Sequence, residues 1–367
     1  MQPLALTVAP TAPCQRCEGL PDKVAGTGQL YLWFPLGHSL GKALAALHHA
    51  GASYERLGDE QSVRVALADG ELEPLIAELA GTLSGEELRD TQSLFTNDPD
   101  APALSVFPHV TPLKRFIGQV RSGWLLDLLR ERRITCHFQP IVHAATPDRL
   151  FAHEALLRGI GQDGARIAAG PILDLAREAG LLFQLDLLAR RTAIREAATR
   201  EIGGKIFINF NPTAIYDPAF CLRSTVAAID AAGIARDRIV FEVTESDRTQ
   251  DLGHLQRILH YYRDAGFAVA LDDFGSGYSS LNLLHQLRPD YLKLDIELIR
   301  DVHHDPYKAL IARKILEAAR ELDLQTVAEG IEVPAELAWA QEHGADYLQG
   351  YLLGRPAEYP TLGYIAA

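Results

Sequence analysis

Cysteine is scarce in this chain: four in 367 residues, Cys14, Cys17, Cys136 and Cys221. That is too few, and too scattered, for a disulfide framework to organise the fold. Long apolar runs are missing as well. No uninterrupted stretch is long enough to span a bilayer, and the N-terminus has neither the charged start nor the apolar stretch of a secretory signal. No membrane insertion and a cytoplasmic location are therefore expected. Positive charge is in deficit: 35 Lys and Arg against 48 Asp and Glu leave a formal net charge of −13. This balance argues against duplex nucleic acid as a partner, because phosphate contacts need Lys and Arg surfaces. A small nucleotide remains allowed, since a divalent ion can mediate between an acidic pocket and a phosphate. Hydrophobic residues at 47% and charged residues at 23% are ordinary for a globular protein, so a large core is available.

The length allows two domains, or one barrel with extensions. Residues 1–28 carry little periodic pattern and read as an irregular segment. Residues 29–110 read as a small α/β module, expected to be regulatory, with strand-like runs at 30–34 and 62–67 and helical spacing at 40–49 and 71–83. The stretch 97–112 contains four prolines and reads as a connector. Leu113, Phe116, Ile117, Val120, Leu125, Leu128 and Leu129 share one side of an amphipathic helix expected over 111–132. From 133 to 367, short apolar runs (138–142, 205–210, 238–243, 268–272, 291–295, 326–329, 347–352) alternate with helical stretches. Such alternation predicts a parallel sheet with helices outside, and a closed barrel is favoured because a polar residue ends nearly every run.

Those polar residues are Glu154, Asn209, Glu242, Asp272 with Asp273, Lys293, Glu329 and Gln349. In a (β/α)8 barrel the C-terminal strand ends converge on one face. So many carboxylates cannot all ionise together without counter-charge. Hard divalent cations supply it, and oxygen ligands suit Mg²⁺ or Mn²⁺ better than zinc. Two such ions a few ångströms apart suit cleavage of a phosphodiester. Each acid alone reads more readily as a helix cap or a surface charge. The recurrence at one register carries the argument, together with Lys293, which needs a partner if it faces a barrel interior. Cys14-x-x-Cys17 offers zinc two of four ligands with no second pair nearby, so free thiols are expected. Gly275-Ser276-Gly277 is too short a glycine motif to identify a phosphate loop.

Several segments resemble the motifs of the EAL-domain phosphodiesterases, in that family's order. They are Phe138-Gln139-Pro140-Ile141-Val142, Glu154-Ala155-Leu156-Leu157-Arg158, Ile208-Asn209-Phe210-Asn211-Pro212 and Phe241-Glu242-Val243-Thr244-Glu245. The run from Asp272 to Ser280, Tyr291-Leu292-Lys293-Leu294-Asp295, Val327-Ala328-Glu329-Gly330-Ile331-Glu332 and Gln349-Gly350-Tyr351 followed by Gly354-Arg355-Pro356 complete the set. The resemblance spans about residues 115–365. Gly159 stands where an aromatic often follows the arginine, His143 where an aspartate often follows the first motif, and Ser276 where threonine is common.

The resemblance implies a TIM-like (β/α)8 barrel, joined to the smaller N-terminal module, that hydrolyses cyclic di-GMP to linear pGpG with two Mg²⁺ or Mn²⁺ ions. It implies Glu154, Asn209, Glu242 and Asp272 as metal ligands, with Asp273 and Glu329 completing the pair of sites. Lys293 would orient or activate the attacking water, and Gln349 would hold a water or an ion at the rim. Glu245 would brace the loop 273–280. Gln139, Leu156, Arg158, Asp295 and Pro356 would contact substrate, with Glu332 in support. A homodimer through the barrel is expected. The alternative is a receptor with an EAL-like barrel that takes up cyclic di-GMP without cleaving it.

Overall fold

Period-two alternation builds the sheets of both parts of this protein. The computed structural model describes residues 18–58, 61–98, 100, 102–244, 251–275 and 281–363. They fall into two compact units, one made of Leu20–Arg133 with Gly170–Leu185, the other of Ile134–Ala169 with the chain from Asp186 onward.

In the first unit, strands β1 (Gly28–Trp33), β2 (Tyr54–Arg56), β3 (Ser62–Leu67), β4 (Gln92–Thr96) and β5 (Thr111–Pro112) form a sheet in the order β2-β3-β1-β4-β5. All its pairings are antiparallel. Leu30 and Leu32 on β1 and Val63 and Val65 on β3 alternate onto one face, where they pack with Leu40 and Leu47 of helix Gly37–His49 and Leu75 and Leu79 of helix Leu72–Thr82. Each such side chain contributes about 1.5–3 kcal/mol by leaving water. The single helix expected over 111–132 is in fact two, Leu113–Arg121 and Gly123–Arg130. The break is at Ser122, whose Oγ donates to the Gln119 carbonyl at 2.7 Å. A hydroxyl that takes a backbone acceptor competes with the helix ladder, and the glycine after it favours helix weakly. Leu113, Phe116, Ile117 and Val120 join the sheet's core, so this segment belongs to the first unit's interior.

The second unit is a closed barrel. Its strands are β6 (Ile134–His143), β7 (Leu150–Ile160), β8 (Arg166–Ile167), β9 (Lys205–Asn209), β10 (Ile239–Thr244), β11 (Ala268–Phe274), β12 (Tyr291–Leu294), β13 (Gln325–Ala328) and β14 (Tyr347–Gln349). They run in the order β6-β14-β13-β12-β11-β10-β9-β7-β8, and a β6–β7 pairing closes eight of them into a ring, with β8 appended outside. The parallel expectation holds for seven strands and fails for one: β6 is antiparallel to both β7 and β14. Only residues 144–149 join β6 to β7. A parallel crossover needs a dozen or more residues, so the short link makes a hairpin and reverses the first strand. Strand β7 itself lies outside the apolar runs of the sequence because Glu154 and Arg158 interrupt it.

Along the parallel strands one set of residues faces outward. Leu294, Ala328 and Leu348 pack with Ala312 and Leu316 of helix Pro306–Glu321 and with Leu337 and Ala340 of helix Pro334–Glu342. The other set fills the barrel. Ile141, Ala152, Phe207, Val240, Ala270, Tyr291, Val327 and Tyr347, one from each strand of the ring, form a single interior cluster.

Candidate metal centre at the barrel mouth

Side chains two residues apart on a strand share a face. Stepping two residues from each member of the interior cluster toward the mouth reaches Glu154, Asn209, Glu242, Asp272, Lys293, Glu329 and Gln349; on the reversed β6 the step runs backward, from Ile141 to Gln139. The apolar plug thus supports a polar layer to which all eight ring strands contribute. Register agrees with this: Gln139 lies opposite Glu154, and Glu242 opposite Asn209. Glu154, Glu242, Asp272, Lys293, Gln139 and Gln349 are buried, whereas Asn209 is exposed.

Lys293 stands at the centre. Its Nζ lies 2.6 Å from Glu329 Oε1, 2.8 Å from Glu242 Oε1, 3.0 Å from Asp272 Oδ1 and 3.5 Å from Glu154 Oε2. An ammonium has three protons and one charge, so it cannot satisfy four carboxylates. Glu242 Oε1 and Glu329 Oε1, although close to Nζ, have hydrogen-bond geometry to no donor, and Gln349 Oε1 is also unpartnered. Amides supply part of the deficit. Asn209 Nδ2 donates to Glu154 Oε1 (3.1 Å) and Glu242 Oε2 (3.2 Å), and Gln349 Nε2 to Glu154 Oε2 (2.8 Å).

The same geometry sets the protonation states. Burial opposes charge on Lys293, but Asp272, Glu154, Glu242 and Glu329 together hold it well above the ordinary lysine value, so it remains an ammonium. Burial pushes Glu242 and Glu329 well above the ordinary carboxylate range, and neighbouring acids add to the shift against the pull of Lys293. Asp272 is raised in the same way. On Glu154 burial is outweighed by Lys293 with the Gln349 and Asn209 amides, and its carboxyl is held below the usual range. Clusters with opposed shifts of this kind are found where chemistry is done.

Adjacent strand residues normally face opposite ways, yet Asp272 and Asp273 both reach the mouth. The reason is local. The pairing of β11 with β12 shifts register between Leu271 and Phe274, and Asp273 has φ +54°. A left-handed residue in a bulge re-aims its side chain. Burial, then Asp272 alongside, pushes the Asp273 carboxyl up to about 7. One oxygen each from Glu154, Glu242 and Asp272 lie within 4.8 Å of one another, and so do oxygens from Asp272, Asp273 and Glu329. Two overlapping sets of hard oxygen donors with unpartnered buried atoms fit divalent ions of the Mg²⁺ or Mn²⁺ kind.

The remaining expected residues divide. Leu156 and Arg158 follow Glu154 at two-residue steps on β7 and so stand on its face above the acids. Arg158 Nη1 donates to the Leu157 carbonyl at 2.7 Å. Gln139 Nε2 reaches the Gly354 carbonyl at 3.3 Å, and Phe138 and Ala357 bridge beside Pro356. Asp295 caps helix Ile296–Ile299 through the Glu297 amide (2.7 Å) and faces Asp273. Glu332 makes an exposed ion pair with Arg300 at 2.6 Å. Glu245, Ser276, Cys14 and Cys17 lie outside the described residues. Sequence reading passed over Asp186 and Arg190, a buried pair on helix Leu182–Thr199; their i, i+4 spacing is the one signal for them.

A family model, the EAL domain, matches residues 122–356. This chain belongs to the EAL domain family. Over 242 residues the chain is 31% identical to the cyclic di-GMP phosphodiesterase NbdA of Pseudomonas aeruginosa, a match covering 65% of this chain and 31% of that protein; it thus spans about a third of that relative. The crystal structure of a standalone EAL protein from Vibrio cholerae O395 in its c-di-GMP-bound form is 37% identical, with a TM-score of 0.56, covering 61% of this chain and 92% of that one. A manganese and cyclic di-GMP complex of BlrP1 from Klebsiella pneumoniae shares the fold at 23% identity and a TM-score of 0.56, over 90% of this chain and 96% of that one. No helix among the described residues of this EAL protein is long and apolar enough to cross a membrane.

Proposed function

We propose that this EAL protein hydrolyses cyclic di-GMP to linear pGpG with two divalent ions, Mg²⁺ or Mn²⁺. The observation that carries the reading is the cluster of four carboxylates sharing a single cation, Lys293. Glu154, Asn209, Glu242 and Asp272 would hold one ion, and Asp273 and Glu329 with Asp272 the other. Bound ions supply Lewis acidity for the attacking water and charge neutralisation for the phosphoryl oxygens.

This chain's residues do the rest. Asn209, its Nδ2 donating to two acids, keeps Oδ1 for an ion. Lys293, held as an ammonium, keeps the acids in register and offers a proton to the attacking water's oxygen. Arg158 suits a phosphate through its planar fork, and Leu156 offers apolar surface to a base. Gln139, Asp295 and Pro356 flank the same mouth. In the net reaction water adds its oxygen to phosphorus, the bond to O3′ breaks, and O3′ takes the proton. The first unit serves as a regulatory module, and the protein acts in the cytoplasm as a homodimer through the barrel, which sedimentation velocity would test.

The deciding experiment is turnover of cyclic di-GMP with Mg²⁺ or Mn²⁺, with chromatographic identification of the product, in the wild type and Glu154→Ala. Formation of pGpG that is lost in the variant supports the reading. Tight binding without product would replace it with a receptor, and cleavage of another diester alone would reassign the substrate.

A further inference from the structure

Helix Leu182–Thr199 carries a buried ion pair that the chemistry above does not use. Asp186 and Arg190 are 9% and 2% exposed. Arg190 Nε and Nη2 donate to Asp186 Oδ2 at 3.0 and 2.7 Å, and Nη1 donates to Thr225 Oγ1 at 2.6 Å. A buried pair of this kind adds little to stability over a well-packed apolar one, because both charges must leave water. Its position therefore calls for another explanation.

Asp186 Oδ1, turned away from Arg190, accepts the backbone N–H of Asn211 at 2.8 Å. One residue earlier, the Phe210 N–H donates to the Glu242 carbonyl at 3.0 Å. The chain leaving β9 just past Asn209 is thus clamped twice, once to the neighbouring strand and once to Asp186. Asn209 is the exposed member of the polar layer, and its amide bridges Glu154 and Glu242. Beyond it the turn holds itself, with Asn211 Oδ1 accepting from the Thr213 N–H and the Asn211 carbonyl from the Ala214 N–H; Asp186 ties that turn to helix Leu182–Thr199.

We propose that Asp186 is a positioning residue for the metal site: oriented by Arg190, it holds the Asn211 amide and so aims Asn209 at the ion. This rests on the metal-dependent reading above. Arg190 holds Asp186 Oδ2 with two N–H groups and leaves its second oxygen to the turn. Outer partners of metal ligands act this way, and their loss costs roughly 10–100-fold in metal affinity.

The test is calorimetric Mn²⁺ titration of the full chain, with folding followed by circular dichroism. Asn211→Pro deletes the backbone N–H that Asp186 accepts and alters neither member of the ion pair; the native φ of −100° at Asn211 lies outside proline's range of about −65 ± 15°, so the backbone must shift there to accept the ring. Asn211→Ala keeps that N–H and gives up, as Asn211→Pro also does, the Oδ1 cap on Thr213, so the pair of variants separates the N–H from the cap. Asp186→Ala and Asn211→Pro are expected to weaken Mn²⁺ binding by roughly 10–100-fold, with Asn211→Ala far closer to wild type. The Mn²⁺ concentration for half-maximal cleavage should rise in step while kcat at saturating Mn²⁺ is largely retained, a split that a loss of fold stability alone does not give. Wild-type Mn²⁺ affinity in folded Asn211→Pro overturns the proposal. Should the variants fail to fold, hydrogen exchange on the wild type decides: Mn²⁺ should slow exchange of the Asn211 amide, and unchanged exchange overturns it. If the wild type binds Mn²⁺ with these effects but cleaves no cyclic di-GMP, the hydrolase reading falls and the positioning role stands. If it binds no Mn²⁺, both fall.

Discussion

Glu87 in the first unit and Glu242 in the barrel are both buried acids, 8% and 0% exposed, and their surroundings treat them in opposite ways. Glu87 accepts from the Ser84 amide (2.8 Å), from Lys42 Nζ on both oxygens (3.1 and 3.0 Å) and from Ser39 Oγ (3.0 Å). The Ser84 amide first, then Lys42, pulls its pKa down to about 2. Glu242 shares one lysine with three other acids and is pushed up. The first acid completes a capping box on helix Gly85–Asp90 and has nothing left to offer. The second has capacity to spare. Full satisfaction marks a structural acid, and a shared deficit marks one kept for a ligand.

The sharpest way to break that contrast is Lys293→Met. Removal of the one cation among four acids should lower cyclic di-GMP turnover by roughly 10²–10³-fold, measured as pGpG formed per unit time at saturating Mg²⁺. Retained turnover would show that the cluster's charge balance is not what the chemistry uses. Next in size is Glu242→Gln, which relieves like-charge crowding. It should lower turnover by less than Lys293→Met does, yet raise the Tm of the metal-free protein by about 2–4 °C, as a stability–activity trade-off implies; a lowered Tm would count against the deficit.

The matching change in the first unit, Glu87→Gln, should lower stability at neutral pH and leave turnover intact. Its pH dependence has a definite sign. The folded pKa of about 2 lies below the ordinary 4.5, so the stabilisation is complete above about 4.5 and is lost as pH falls toward 2. Urea midpoints across that window should converge for wild type and variant at the acid end; parallel curves would remove Glu87 from the account. The smallest effect concerns Cys136, buried in the wall of β6. Burial, with Glu196 nearby, pushes its thiol up to about 12. It should resist alkylation at pH 8 until the protein is unfolded, by mass spectrometry. Its inertness would sharpen the comparison: a raised pKa alone does not make a site, whereas a cluster with too few donors does.

Much of this was legible in the chain. The residues of the polar layer follow the barrel's apolar plug by two positions on seven strands, and both halves of that pattern can be read along the sequence. Strand β7 was harder, because an acid and an arginine on its mouth-facing side break the apolar run. The reversal of β6 depends on the shortness of residues 144–149, a feature visible in the sequence but decisive only once the ring must close. Glu332 sits in a family motif, yet only the structure gives its carboxylate to Arg300. The break at Ser122 turns on whether one hydroxyl bonds back to its own helix.

The sequence by itself determined which side chains are available and the step of two that puts them on one face, because side-chain alternation is a property of any extended strand. Only the tertiary structure decided that eight strands close so that those faces meet. The same closure turned β6 against its neighbours, and a left-handed Asp273 brought a second aspartate to the mouth. These depend on distances between residues far apart in the chain, and local pattern does not carry them. Four acids and a lysine spread over residues 154–329 become a site when closure brings their charges within 3.5 Å of Lys293.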